Sequence, residues 1–302
     1  MSTSKTLGIV GVGLIGASLG LALKQAGFCQ RVLGVGRSTA NLDAAQALGA
    51  IDAVVDLETC AREADWIVLA VPVAQTFAVL HAIEPHLKPT ALITDAGSTK
   101  SDVIMAAKTA LGDKVAQFVP AHPIAGGAHH GAKAAKADLF QKKQVILCPL
   151  QENHPQAVSQ VDALWQATGA LTYRMSALQH DAVFASVSHL PHVLSYALML
   201  QVAGSEDASV KFGHAGAGFR DFTRIAASSP EMWRDICLAN KTALVKELDQ
   251  YAQLVERLRD WVAKEDGDAL LKAFTRASEA RLRWESDHSS QAQKNTNLGE
   301  DD

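Results

Sequence analysis

Gly11, Gly13 and Gly16 stand near the start of the chain in the spacing Gly-x-Gly-x-x-Gly. A predicted strand ends just before them, and a predicted helix opens around Leu14 and Ile15. Glycines at this spacing let the backbone turn tightly and approach a pyrophosphate, while the helix start offers free N–H groups and a positive dipole. The five residues therefore predict a dinucleotide-binding turn, with an ordinary glycine-rich turn as the alternative.

The end of the second predicted strand carries Arg37 and Ser38, where many NAD-binding proteins carry an acidic residue. A guanidinium group beside a hydroxyl suits the 2′-phosphate of NADP, because arginine binds phosphate through charge-assisted, paired hydrogen bonds. We therefore favour NADP over NAD as the cofactor. The alternative is that Arg37 is a solvated surface charge and that Asp43 or another acid binds the ribose of NAD.

Two further residues have side chains suited to proton transfer and to anion binding. Imidazole titrates near neutrality, so a neutral His122 can accept the proton of a substrate hydroxyl. The guanidinium of Arg224 can bind a carboxylate through two parallel hydrogen bonds, and Asp221 lies three positions before it at helical spacing. The structural alternatives are a histidine in a Pro-Gly turn and an ion pair on a helix surface.

His189 and His192 stand three residues apart on either side of Pro191. A metal site is one interpretation of this spacing, but no carboxylate or thiolate partner lies nearby in the sequence, so we predict no metal. Pro191 predicts a distorted helix start or a kink. Packing in the core remains the alternative to a binding role for both histidines.

The elements that must position these residues alternate between strand and helix in the first half of the chain. Strands are predicted at 6–10, 31–35, 66–71, 91–95, 116–119, 144–148 and 171–174, and helices at 17–25, 42–48, 74–86 and 101–110. This alternation predicts right-handed βαβ units in an α/β fold, a Rossmann-type, doubly wound parallel sheet.

After about Met175 the strand patterns fade and helical periodicity takes over. We therefore predict a dinucleotide-binding domain over 1–174, an all-helical C-terminal domain for substrate binding and dimerisation over 175–285, and a polar, disordered tail over 286–302. One long helix carries an apolar seam with alternating steps of four and three: Leu244, Leu248, Tyr251, Val255, Leu258 and Val262. The seam suits a core or a subunit interface, and its pattern does not choose between them.

Composition and charge exclude several classes of function. The 302 residues are 48% hydrophobic and carry a formal net charge of −4, which gives no global attraction to nucleic acid or anionic lipid. No apolar run is expected to cross a membrane, and the first residues show no cleavable signal pattern. The four cysteines form no Cys-x-x-Cys pair, which favours free thiols and the reducing cytoplasm.

Four segments carry a resemblance to a known family: DAGSTK (Asp95 to Lys100), AHPIAGG (Ala121 to Gly127), SHLPH (Ser188 to His192) and FRDFTRIA (Phe219 to Ala226). Together with the glycine turn, they resemble the prephenate/arogenate (cyclohexadienyl) dehydrogenases of tyrosine biosynthesis. The resemblance covers almost the whole chain, in the family's order, and the second and fourth segments are its most specific parts.

The resemblance implies an enzyme that oxidatively decarboxylates a cyclohexadienol, prephenate or L-arogenate, with hydride transfer to NAD or NADP. It implies that His122 is the catalytic histidine and that Ser98 bonds the same substrate hydroxyl or positions that histidine. It further implies that Arg224 binds the ring carboxylate, that Asp221 helps to hold the site together, and that His189 and His192 line the substrate site. A homodimer is also expected.

One departure from the family pattern lies in the loop after His122. Many relatives carry an acidic residue there, whereas this chain reads Gly-Gly-Ala-His-His-Gly over 126–131. If this loop meets the substrate side chain, the lack of an acid favours the keto acid prephenate over the amino acid arogenate.

Two alternatives differ in their chemistry. A β-hydroxyacid or imine reductase with a similar domain order would use a lysine, for which Lys241 is the candidate. A non-catalytic NADP-sensing module would need neither a base nor an anion-binding group.

Overall fold

The computed structural model describes residues 5–127 and 129–297, and its first half forms a parallel sheet of six strands. These strands are β1 (Thr6–Val10), β2 (Arg31–Val35), β3 (Ala53–Val54), β4 (Trp66–Leu69), β5 (Leu92–Asp95) and β6 (Phe118–Val119). Their order is β3-β2-β1-β4-β5-β6, so the chain reverses direction across the sheet at β1. Ligands of open α/β folds bind outside the carboxyl ends of the strands at such a switch point. The predicted Rossmann-type sheet is confirmed.

Helices cover both faces of this sheet. They are α1 (Leu14–Gln25), α2 (Thr39–Ala47), α3 (Leu57–Glu63), α4 (Thr76–Ile83), α5 (Ser101–Leu111) and α6 (Pro155–Gln166). Ile9 of β1 packs with Leu19 of α1 in one core, while Leu69 of β4 packs with Leu80 of α4 in the other. All four side chains are buried, and each such burial contributes about 1.5–3 kcal/mol.

A second sheet of three strands corrects the prediction of one mainly parallel sheet. It consists of β7 (Ala121–Pro123), β8 (Gln144–Leu147) and β9 (Leu171–Arg174), with β7 antiparallel and β9 parallel to β8. Neither β7 nor β3 is predicted from the sequence, because strands of two or three residues are too short to show a hydrophobic period. The separate sheet matters for function because β7 carries His122.

The described chain after β9 is helical, which confirms the fold class. The elements are α7 (Ala177–Phe184), a π-helical turn (Ala185–His189), α8 (Leu190–Ala203), α9 (Ala208–Gly213), α10 (Ala217–Thr223), α11 (Pro230–Ala239), α12 (Lys241–Ala263) and α13 (Gly267–Asn297). The distortion expected at Pro191 takes the form of the π-helical turn directly before α8. Pro191 has no N–H to donate to the preceding turn, and such turns are frequent at functional sites.

Contacts divide the chain into two compact units, Met1–Leu244 and Val245–Asp302. The predicted boundary after residue 174 falls at the end of β9. However, α7 is hydrogen-bonded to β7 and to the start of α5, so the helices that follow β9 begin within the same unit as the two sheets. A disordered tail is predicted over 286–302, but in the structure α13 continues to Asn297. No glycine or proline interrupts residues 286–297, and 298–302 lie outside the described residues.

The run Ala177–Ala203 corrects the expectation that no apolar segment is long enough to cross a membrane. Its mean hydropathy is 1.4 over an 18-residue window, 22% of which is buried. The same run carries His180, Asp181 and His189, which are buried and hydrogen-bonded to other elements of the first unit. These polar contacts favour a role in the protein core over a membrane span.

Candidate active site

The glycine turn after β1 has the geometry that a dinucleotide requires. Gly11 has a φ of +99°, and a Cβ atom there would collide with the backbone of Ala70. A Cβ atom on Gly16 would collide with the carbonyl oxygen of Gly11, so the third glycine permits close packing of α1. A Cβ atom on Gly13 would meet nothing within 4 Å, which leaves open space at the turn.

The N-terminus of α1 is free to receive an anion. Gly13 is its N-cap residue, no side chain of the residues that the structure describes caps the helix, and its first turn holds no acidic residue. The N–H groups of the first turn, which begins with Leu14 and Ile15, are therefore available to a phosphate. The residues present fit a dinucleotide, which would supply the hydride acceptor of a redox reaction.

Arg37 and Ser38 lie beyond the carboxyl end of β2, and both are exposed. The Ser38 hydroxyl oxygen accepts a hydrogen bond from the N–H of Asn41 at 3.3 Å and caps α2. Arg37 has no salt bridge to any described residue, so its guanidinium is available to a ligand at this edge.

A buried ion pair fixes the segment that leads into β7. The ammonium group of Lys100 bonds the carboxylate of Asp95 and donates to the carbonyl oxygen of Ala121 at 2.8 Å. The other oxygen of Asp95 accepts from the N–H of Ala121 at 3.0 Å. Both polar groups of Ala121 are thereby held, and His122 is the next residue. Ser98 lies between Asp95 and Lys100 in the loop after β5, half-buried.

His122 is a buried member of a chain of polar side chains. Its Nδ1 lies 2.8 Å from Nε2 of His180, and Nδ1 of His180 lies 2.8 Å from Oδ1 of Asp181. The ring of Phe184 packs against both imidazoles, at 4.9 Å from His122 and 4.5 Å from His180 between centroids. Burial is the main cause that holds the pKa of His122 well below its usual value of 6.5, and electrostatic coupling to His180 and Lys100 lowers it further.

Asp181 connects this chain to two other elements. Its carboxylate accepts hydrogen bonds from the N–H groups of Lys100 at 2.9 Å and Ser101 at 2.8 Å. Asp181 therefore caps the N-terminus of α5, although it lies far from this helix in the sequence. Although burial disfavours the charge, the hydrogen bonds lower the pKa of Asp181 to about 2. Its carbonyl oxygen accepts from the amide of Asn240 at 2.8 Å.

The two predicted binding histidines lie beyond Asn240. The Asn240 amide donates to Nδ1 of His189 at 3.1 Å, which leaves Nε2 of this buried ring as a donor without a partner among the described residues. Burial lowers the pKa of His189 to about 4. The ring of His192 stacks on Trp233 at 3.6 Å between centroids, and Nδ1 of His192 donates to the carbonyl oxygen of Ser188. The N–H of Trp233 likewise has no partner in the described part of the chain.

Arg224 begins a short 3₁₀ helix directly after α10, and its side chain is exposed. Its charge lies close enough to His192 to lower the pKa of that ring, after the larger effect of burial. Asp221 is exposed and forms no salt bridge with Arg224 in the described structure, so the alternative of an ion pair on the helix surface is not supported for these two residues. Within the described ranges, no three side chains of the metal-ligating types come together.

Comparisons with known proteins decide the family. The nucleotide-binding domain of prephenate dehydrogenase matches residues 19–174, and its dimerization domain matches residues 176–276. The chain belongs to the prephenate dehydrogenase family. It is 39% identical to the cyclohexadienyl dehydrogenase of Zymomonas mobilis over 293 residues, which cover 95% of this chain and 99% of that protein.

Two solved structures of the prephenate dehydrogenase family extend the comparison. The A. aeolicus prephenate dehydrogenase in complex with hydroxyphenyl propionate and NAD+ is similar with a TM-score of 0.86 and 30% identity, covering 94% of this chain and 99% of that one. The arogenate dehydrogenase of Synechocystis is similar with a TM-score of 0.77 and 29% identity, covering 92% and 99%.

In this member of the prephenate dehydrogenase family, sequence analysis missed the residues that surround His122: Asp95, Lys100, His180, Asp181 and Asn240. A signal for two of them was present, since His180 and Asp181 form an adjacent polar pair in the apolar run ALQHDAVF. Buried polar pairs of this kind need hydrogen-bond partners, but the sequence does not name them.

Proposed function

We propose that this protein catalyses the NAD(P)-dependent oxidative decarboxylation of prephenate or L-arogenate, yielding 4-hydroxyphenylpyruvate or L-tyrosine. The observation that carries the proposal is the buried, neutral imidazole of His122, beyond the sheet edge that bears the dinucleotide turn. Such a group removes a hydroxyl proton at neutral pH, as the oxidation of a secondary alcohol requires.

His122 acts as the base. It takes the proton of the substrate hydroxyl while the carbon that bears this hydroxyl loses a hydride, for which a bound nicotinamide supplies the acceptor. The bond between the ring and its carboxylate then breaks, and carbon dioxide leaves. The electron pair of the broken bond stays with the ring and makes it aromatic. The proton on His122 returns to the ring oxygen, which becomes a phenol. Ser98, in the neighbouring loop, bonds the same hydroxyl or orients His122.

Arg224 binds the ring carboxylate of the substrate. Its guanidinium supports this role because it is exposed, lies near His192 and forms no salt bridge with any described residue. His189 offers its free Nε2–H to the substrate, and His192 lines the same site on its stack with Trp233. Asp221 is also proposed to help hold the substrate site together, because it lies one helical turn before Arg224. It forms no direct bond to Arg224 in the described structure. The lack of an acid in the loop at 126–131 favours prephenate.

NADP is the proposed cofactor, held by Gly11, Gly13, Gly16 and the first turn of α1, with Arg37 and Ser38 at the 2′-phosphate. The unpaired guanidinium of Arg37 at the end of β2 supports this preference. NAD is the alternative, and the A. aeolicus relative was solved with NAD+.

The enzyme is proposed to act as a cytoplasmic homodimer. The match of residues 176–276 to a dimerization domain supports the dimer. So does the seam on α12, where Val255 and Val262 are 45% and 63% exposed in the single chain. The four cysteines are free thiols, as expected in a reducing compartment.

The reductase and sensor alternatives are not favoured. A reductase would use Lys241 as its catalytic lysine, but this side chain is exposed at the start of α12 and is not part of the buried chain of polar groups around His122. A non-catalytic sensor would not need a buried histidine such as His122 with its hydrogen-bonded partners.

Initial rates at 340 nm with prephenate and with arogenate, each against NAD and NADP, test the proposal. We expect turnover in at least one combination, with prephenate and NADP the fastest pair. No turnover in any of the four, with cofactor binding intact, would overturn the proposed function.

A further inference from the structure

The position of His122 alone does not make it a base, because the ring nitrogen that faces the substrate must carry a lone pair. Nδ1 of His122 is engaged with His180, so Nε2 is the nitrogen left for the substrate. If Nε2 carries the proton, His122 can donate to the hydroxyl but cannot take its proton. The tautomer of His122 therefore decides whether the reaction starts.

The Nδ1–Nε2 contact between the two histidines has two possible polarities. Either His122 donates and His180 accepts, or His180 donates and His122 accepts. Neither the distance of 2.8 Å nor the edge-on arrangement of the rings, with 63° between their planes, selects one of them. The selection must come from the far side of His180.

Asp181 makes this selection. Its carboxylate already accepts two backbone N–H groups at the start of α5, from Lys100 and Ser101, and it is held in its charged, acceptor-only form. Nδ1 of His180 must therefore donate to Asp181. Because burial also lowers the pKa of His180, this ring is neutral at pH 7, and its Nε2 has a lone pair. His122 must then donate from Nδ1.

We propose that His180 and Asp181 form a positioning relay that fixes His122 in the tautomer with a proton on Nδ1, so that its Nε2 faces the substrate hydroxyl as a free base. This inference rests on the proposed function, in which His122 takes that proton. The relay also stabilises the imidazolium once it has formed, because its Nδ1–H stays bonded to His180 and the carboxylate of Asp181 lies behind that ring.

The surroundings keep the relay rigid and dry. Phe184 packs against both imidazoles, and His180 has no surface exposed to solvent. Asn240 holds the backbone carbonyl of Asp181, so both the side chain and the main chain of that residue are fixed. Water cannot readily replace His180 as the acceptor, and the tautomer of His122 depends on this one side chain.

Nitrogen NMR of the ¹⁵N-histidine-labelled enzyme with its bound cofactor tests the relay without any turnover. At pH 7.5 we expect His122 and His180 both to be neutral, each with a protonated Nδ1 and a lone pair on Nε2. Variants His122→Asn and His180→Gln assign the two rings. A protonated Nε2 on His122, or a cationic His180, would overturn the inference.

A matched pair of variants tests the same relay kinetically. Gln and Met have similar lengths, but only the Gln oxygen can accept a strong hydrogen bond from Nδ1 of His122. We expect His180→Met to lower kcat at least about 100-fold. His180→Gln should recover about 10-fold or more of that loss, and both should leave the substrate KM and the cofactor Kd unchanged within about 2-fold.

Equal kcat values for the two variants would reduce His180 to a packing residue and contradict the relay. If the wild-type enzyme turns over none of the four substrate and cofactor pairs, the proposed function fails, while the NMR result still reports the tautomer. The two failures are therefore distinguishable.

Discussion

Lys100 and Asp95 form an ion pair inside the protein, with side chains that are 0% and 3% exposed. The pair holds both backbone polar groups of Ala121 and so sets the start of β7, from which His122 projects. A buried charge that loses its partner is strongly destabilising, because nothing then compensates for its desolvation. This interaction ties the stability of the sheet edge to the position of His122.

Lys100→Met removes the ammonium group while keeping most of the side-chain volume. We expect the free energy of unfolding to fall by about 3–5 kcal/mol, because the carboxylate of Asp95 is left buried and unpaired. Urea denaturation measures this loss. Lys108→Met, in an exposed pair with Glu152, is the control and should leave the unfolding midpoint nearly unchanged. Equal effects of the two substitutions would contradict the role of the buried pair.

His122→Asn should lower kcat by about 10²–10⁴-fold while sparing cofactor affinity, because only the base is lost.

The wild-type pH profile is a second measure of the same group. A base is active when neutral, and the pKa of His122 lies well below 6.5, so activity is lost only as the pH falls through that lowered pKa. We expect nearly constant kcat from pH 8 to 6.5. A loss of activity centred at or above pH 6.5 would show that another group controls the reaction.

Arg224→Ala should raise the substrate KM by about 10–100-fold, since a charge-assisted hydrogen bond contributes about 1.5–3 kcal/mol. Arg224→Lys should recover part of the affinity, because it restores the charge without the paired hydrogen bonds. Lys211→Ala removes an exposed charge from α9 and serves as the control. A KM that stays the same in Arg224→Ala would remove this residue from the substrate site.

Arg37→Gln tests the cofactor preference. If the guanidinium binds the 2′-phosphate, the KM for NADP rises by about 10-fold or more and the KM for NAD changes little. Arg62→Gln, on the exposed face of α3, controls for the loss of a surface charge. Parallel changes for both cofactors would place Arg37 away from the phosphate.

Gly13→Ala separates folding from cofactor binding. A Cβ atom there meets no atom within 4 Å, so the melting temperature should stay close to that of the wild type. The same atom occupies the space where the pyrophosphate would approach the turn, so the Kd for the cofactor should rise about 10-fold or more. Titration by fluorescence gives the Kd, with Gly267→Ala as a control that also meets no neighbour. Unchanged affinity in Gly13→Ala would argue against a pyrophosphate at this turn.

Local patterns in the sequence predict the elements that carry the site. The strands at 6–10 and 31–35 and the helix at 101–110 agree with the structure within one residue, because apolar runs and helical periodicity record which side chains must be buried. The turn at Gly11 is predicted from the same local information, because the Gly-x-Gly-x-x-Gly spacing directly after a predicted strand is typical of a dinucleotide-binding turn. The family resemblance adds His122 and Arg224, which no periodicity reveals.

The tertiary structure decides what surrounds His122. His180 and Asp181 lie 58 and 81 residues from their partners His122 and Lys100, and nothing in a helical pattern indicates that α7 reaches both β7 and α5. Helical periodicity records burial but not the hydrogen-bond partner that each buried polar group must find. Conversely, Asp221 and Arg224 stand at helical spacing, yet they form no salt bridge in the described structure, because spacing along a helix permits a contact and only packing determines whether it is made.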